Sequence, residues 1–97
     1  MAKLVITQEA KNDIEQIVEG IIEYTHFVES GVRLYNDLYE KIHLIGFMPE
    51  GAGRLRKDGF REAFCRGYRI IYEIANDVVY IRTILHSRML YPRPTTV

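Results

Sequence analysis

The last third of the chain constrains its fold most. Three strand-like runs, 60–65, 68–75 and 78–86, follow one another with only Arg66-Gly67 and Asn76-Asp77 between them. Two-residue connections of this kind close β-hairpins, so the runs predict an up-down antiparallel unit. Side chains alternate along a strand. Alternation assigns Phe60, Phe64, Tyr68, Ile70, Tyr72, Ile74, Val79, Ile81 and Leu85 to an apolar face. The opposite face then collects Arg61, Cys65, Arg69, Glu73, Tyr80, Arg82, Ile84 and His86. Several cationic or titratable groups on one side of a small sheet point to an anionic partner or to phosphodiester chemistry.

An apolar sheet face needs a cover, and the first half supplies it. A short strand is expected over residues 3–6. Thr7 is an N-cap candidate, and Glu9 sits where the helix dipole favours a carboxylate. Apolar residues at Ala10, Ile14, Ile17, Val18, Ile21 and Ile22 then make one helical face as far as about His26. Ser30 is expected to cap a second helix that turns Leu34, Leu38, Ile42 and Ile45 inward and ends at Gly46, before Pro49. A connection of about four residues predicts an antiparallel helix pair. The glycine-rich stretch 48–59 is the expected mobile loop, and the proline-bearing tail 91–97, Tyr91 included, is expected to fray. The fold class is therefore α+β, a two-helix hairpin on a twisted antiparallel sheet in the order β-α-α-β-β-β, as one domain over residues 1–97.

Charge limits the function. Thirteen basic and thirteen acidic residues cancel, so a cationic site must come from arrangement and not from bulk charge. The single cysteine, Cys65, can form no internal disulfide and has no partner for a structural zinc site. Without a signal-like N-terminus, this predicts a reducing cytoplasm. No apolar run approaches the roughly 20 residues of a membrane span. The sequence calls for no metal and no cofactor.

The element order, with Asp13-Ile14-Glu15-Gln16-Ile17, Leu44-Ile45-Gly46-Phe47-Met48-Pro49-Glu50-Gly51, Phe60-Arg61-Glu62, Gly67-Tyr68-Arg69-Ile70-Ile71-Tyr72-Glu73-Ile74 and Ile84-Leu85-His86-Ser87-Arg88, resembles the RelE/ParE superfamily of type II toxin–antitoxin toxins. The likeness spans nearly the whole chain. Phe-Arg-Glu and Leu-His-Ser-Arg look more like the ParE branch, whose members poison DNA gyrase by protein contact. The RelE and YoeB branch instead cuts mRNA on the ribosome. Either branch implies a cognate antitoxin that folds onto the toxin, no membrane partner, and no direct DNA binding without the antitoxin.

Three readings follow. A gyrase poison would use the helix hairpin and the C-terminal segment with Arg88 and Met89; Arg61, Arg69, Arg82, Ile84 and His86 join these as candidate target or antitoxin contacts. A metal-free nuclease must move a proton from the 2′-OH to the leaving oxygen and stabilise the phosphorane. Resemblance to that branch maps Arg61 onto its sheet arginine and His86 or Tyr91 onto its C-terminal catalytic group. Glu50, Glu62 and Glu73 offer no evident matching base. A third reading is a degenerate member that only binds its antitoxin. Plainer roles compete with all three. Arg69, Glu73 and Arg82 would form a cross-strand charge ladder, and Lys11, Glu15, Glu19 and Glu23 a solvated stripe. Ile71 and Ile84, apolar on the nominally open side, are expected to await a docked antitoxin.

Overall fold

A computed structural model of the chain describes residues 3–91, and the end at 92–97 lies outside them. The order is β1 (Lys3–Ile6), α1 (Gln8–Thr25), α2 (Val28–Phe47), β2 (Arg54–Leu55), β3 (Arg61–Cys65), β4 (Tyr68–Ala75) and β5 (Val78–His86). The helices lie on one face of a five-stranded sheet ordered β1-β5-β4-β3-β2. The expected α+β architecture is present. The sheet is mixed, however, because β1 runs parallel to β5 while the other neighbours are antiparallel.

Local chemistry accounts for the helices. The Thr7 hydroxyl accepts from the Ala10 N–H at 3.2 Å, capping α1 as its position predicts. The same hydroxyl donates to the Ile81 carbonyl at 2.8 Å, which fastens the start of α1 to the sheet edge. His26 ends α1 in the left-handed region at φ 62°. The second helix begins earlier than expected, at Val28. Phe27 holds its N-cap position with no side-chain hydrogen bond, and Ser30 lies within the helix. A tight crossing explains this early start. A Cβ on Gly31 would come within 2.5 Å of Ile22, so only glycine lets the helices approach directly after the two-residue join.

Leu34, Leu38, Ile42 and Ile45 from α2 and Ala10 and Ile14 from α1 are fully buried against Ala63, Ile70, Tyr72, Val79, Ile81 and Ile84. Each of the leucine, isoleucine and valine side chains contributes about 1.5–3 kcal/mol of burial. At the edge of β5 beyond β1, Asp13 of α1 takes over. Its carboxylate accepts from the Thr83 hydroxyl at 2.5 Å and the Ile84 N–H at 3.0 Å, satisfying a buried backbone donor.

Register corrects the expected faces. Cys65 pairs with Tyr68 and Phe64 with Arg69, so Ala63 and Cys65 face the helices while Phe64 stays 46% exposed on the open side. A β-bulge opposite Ile71 and Tyr72 then shifts the phase of β5, because Tyr72 pairs with Ile81 but Ile71 with Thr83. Ile84 therefore enters the helix-side core, and Leu85 turns outward beside Arg69. Ile71 lies on the open side yet is fully buried, so neither it nor Ile84 waits for an external cover. The stretch 48–59 is pinned at several points. Tyr72 donates to the Pro49 carbonyl at 2.6 Å, and Arg61 to the carbonyls of Glu50 and Gly53 at 3.3 and 3.4 Å.

Candidate functional site

The four groups expected on one face divide between two. Arg61 pairs across strands with Tyr72 and so belongs to the helix side, where it braces the 50–53 turn. His86 pairs with Tyr68, also on that side, and their rings meet edge to face at 5.9 Å. Four residues of β4 and two strand spacings separate Arg61 from His86. That places their Cα atoms ~16 Å apart, and the Arg61 guanidinium is engaged by the Glu50 and Gly53 carbonyls. The His86 Nδ1 accepts from the Arg88 N–H at 3.3 Å, a local turn contact.

Arg69 and Arg82 remain on the open side, and both are paired. The Arg82 Nε donates to Glu73 at 2.7 Å, and its guanidinium lies over the Tyr80 ring at 5.0 Å. The expected charge ladder is thus half right, since Arg69 turns instead to Glu62. That carboxylate is the centre of the open side. It is only 6% exposed and is met by Arg69 at 3.5 Å and by Arg54 and Arg56 at 3.6 Å each. Arg56 also pairs with Asp58 at 3.2 Å.

The C-terminal segment closes over this cluster. Arg69 donates to the Met89 carbonyl, and Arg56 to the Tyr91 carbonyl at 2.9 Å. The Tyr91 ring lies beneath the Arg56 guanidinium at 5.3 Å and meets Phe60 edge on at 5.6 Å. Burial, reinforced by the carboxylates of Glu9 and Asp58, raises the Tyr91 phenol above its usual range against the opposing pull of Arg82 and Arg56. At neutral pH that phenol is an acid and not a base. Arg88 is exposed, Met89 is 45% exposed and Leu90 is 70% exposed.

Sequence reasoning missed Arg54, Arg56, Glu62 and Asp13. One available signal was the Arg66-Gly67 turn itself, which forces Cys65 opposite Tyr68 and hence sends Glu62, Phe64 and Arg69 together to the other side. Charge arrangement was readable too. Residues 8–47 hold eight carboxylates against three bases, and the remainder five against ten. Net neutrality is therefore the sum of an acidic helix hairpin at −5 and a basic remainder at +5.

A separate groove of about 760 Å³ runs beside α2, lined by Leu4, Leu44, Phe47 and Cys65 among others. Burial pushes the Cys65 thiol up, and nearby Asp37 adds to the effect, so this cysteine is not an activated nucleophile. Among the described residues no helix is long and apolar enough to cross a membrane, and no cluster of His, Cys, Asp and Glu is placed to hold a metal ion.

Comparison with known proteins agrees with this architecture. A P. aeruginosa chain from a chromosomal ParDE toxin–antitoxin system superposes with a TM-score of 0.80 at 19% identity, over 89% of this chain and 96% of that one. A chain of the RelBE2 toxin–antitoxin complex of Mycobacterium tuberculosis superposes with a TM-score of 0.53, also at 19% identity, over 88% and 96%. At such identities the likeness concerns the fold alone. No curated protein matches the sequence. The family model described as the ParE toxin of the type II toxin–antitoxin system parDE matches residues 4–91. By that match, spanning all but the ends of the sequence, the chain belongs to the ParE toxin family.

Proposed function

We infer that this toxin inhibits growth by poisoning DNA gyrase through protein contact in the cytoplasm, and that a cognate antitoxin holds it inactive. The family match over residues 4–91 carries the reading. The dispersal of the catalytic candidates supports it, because Arg61 and His86 lie at separate positions on the helix side while Arg69 and Arg82 are paired with Glu62 and Glu73 on the other. Contact surfaces are available without chemistry. Tyr24, Phe27, Val28 and Val32 are exposed along the helix hairpin, and Arg88, Met89 and Leu90 at the C-terminal segment. The titles of both similar structures name toxin–antitoxin systems, and the apolar groove beside α2 offers an antitoxin segment a seat. Purified toxin added to a gyrase supercoiling assay should abolish supercoiling, and antitoxin should restore it. Undiminished supercoiling at saturating toxin would refute this target.

A second reading, ribosome-dependent mRNA cleavage, draws on a different trio from the expected one. Arg56, Arg69 and Tyr91 converge on the open side, where a guanidinium pair and a neutral phenol could stabilise a phosphorane and donate a proton. Under it, Arg56→Ala and Tyr91→Phe would remove cutting, whereas Arg61→Ala and His86→Ala would leave it.

A further inference from the structure

The open side presents three guanidinium groups around one buried carboxylate, an excess of positive charge before Asp58 is counted. Two of the three each direct one donor to a backbone carbonyl oxygen of the chain's own C-terminal segment, Arg69 to Met89 and Arg56 to Tyr91. A carbonyl is a weak acceptor for a guanidinium compared with an oxyanion, which matches it in charge and can bridge two donors. The Arg69 Nε, fully buried, finds no acceptor at all. Beneath lie Ile71 and Leu85, buried although they face away from the helices. Few main-chain contacts tie the segment down: the Ser87 N–H donates to the Gly67 carbonyl at 2.8 Å, and the Met89 N–H to that of His86 at 2.9 Å. Leu90 points largely into solvent, and Met89 is 45% exposed.

We propose that residues 87–91 form a releasable strap whose carbonyls stand in for oxyanion oxygens on Arg56 and Arg69, and that a phosphate-type ligand displaces it. Docked, the strap occludes the arginine cluster; released, it opens a cationic floor flanked by Ile71 and Leu85. The strap thus acts as an internal competitor that raises the anion concentration needed for binding. The proposal does not depend on gyrase being the target, and its test uses no gyrase.

Amide hydrogen exchange on the intact chain tests it. Inorganic phosphate should speed exchange at Ser87 and Met89 at least about five-fold relative to chloride of equal ionic strength, while amides of β4 stay unchanged. A single-stranded oligonucleotide active at a lower phosphate-group concentration would assign the ligand to nucleic acid, and free phosphate acting equally well would assign it to the small anion. In Arg56→Gln the strap should exchange fast already in chloride, with less than about a two-fold further response to phosphate. Because removing Arg69 alone takes one of three counter-charges from buried Glu62, the partner variant is the double change Glu62→Gln with Arg69→Met, which should show the same fast exchange in a folded chain. Equal rates in phosphate and chloride in the native chain would overturn the proposal. So would a slow, phosphate-responsive strap in Arg56→Gln or in the double variant.

Discussion

The two sides of the sheet are stabilised by different physics. On the helix side, side chains such as Leu38, Ile42, Ile70 and Ile81 exclude water with hydrocarbon, and any of them can be judged nearly in isolation. On the open side, burial is achieved with charge. Glu62 is tolerable out of water because Arg54, Arg56 and Arg69 surround it, and two of those guanidiniums are themselves tied on, Arg56 to Asp58 and Tyr91 and Arg69 to Met89. A hydrocarbon core loses stability gradually as atoms are removed. A buried charge network loses it abruptly when one member goes, because the others remain desolvated without a counter-charge. Arginines on a toxin's open sheet face are therefore not by themselves a nuclease signature; here they have structural partners.

Substitutions can break this contrast. Glu62→Gln should destabilise by about 3–5 kcal/mol, as removal of one partner of a buried pair does, and urea denaturation measures it. Leu38→Ala, on the dry side, should cost about 2–5 kcal/mol. Adding Arg69→Met to Glu62→Gln should recover part of the loss, whereas no second polar change should rescue Leu38→Ala. Equal additivity on both sides would erase the distinction. Next in size is Gly53→Ala, at about 1–3 kcal/mol. Its Cβ would meet the Tyr72 hydroxyl at 2.5 Å and the Glu62 backbone carbonyl oxygen at 2.6 Å, striking a helix-side phenol and the main chain of β3 at once.

The exposed pair Arg66–Asp37, with both side chains 45% exposed, should matter little, and Arg66→Ala should change stability by about 0–1 kcal/mol. A pH effect sharpens the comparison without touching neutral conditions. Burial raises the Tyr72 phenol above its ordinary value of 10.0, partly offset by Arg61. Its contribution is complete below pH 10 and is lost as pH rises through the folded value, because the unfolded chain ionises first. Native protein should therefore lose stability more steeply above pH 10 than Tyr72→Phe, as melts across that range would show.

Legibility in the sequence follows the same division. Hydrocarbon periodicity located β1, β4 and β5 at their observed bounds and both helices within a few residues. Thr7 capped its helix because a hydroxyl at that position has few better uses. Strict alternation failed where a local irregularity changed its phase. The bulge opposite Ile71 and Tyr72 moved Ile84 and His86 to the helix side, and no composition signal marks it. The placement of Phe64 failed for another reason. Size and greasiness argued for the core, but small Ala63 and Cys65 sit under the helices, where Tyr68, Ile70 and Tyr72 fill the space. The Glu62 cluster was only partly legible: the Arg66-Gly67 turn sets Glu62 and Arg69 on one side, but Arg54 and Arg56 come from β2 and the loop after it, which no turn signal registers.

On the proposed function the open-side arginines are held by carboxylates and by the chain's own carbonyls, and do no chemistry on RNA. Primer extension on a translated message, in a ribosome extract given the purified toxin, tests it most directly. Full-length message is expected at every toxin concentration that stops supercoiling. Codon-spaced breaks that vanish with Arg56→Ala or Tyr91→Phe, in variants that still fold, would contradict it.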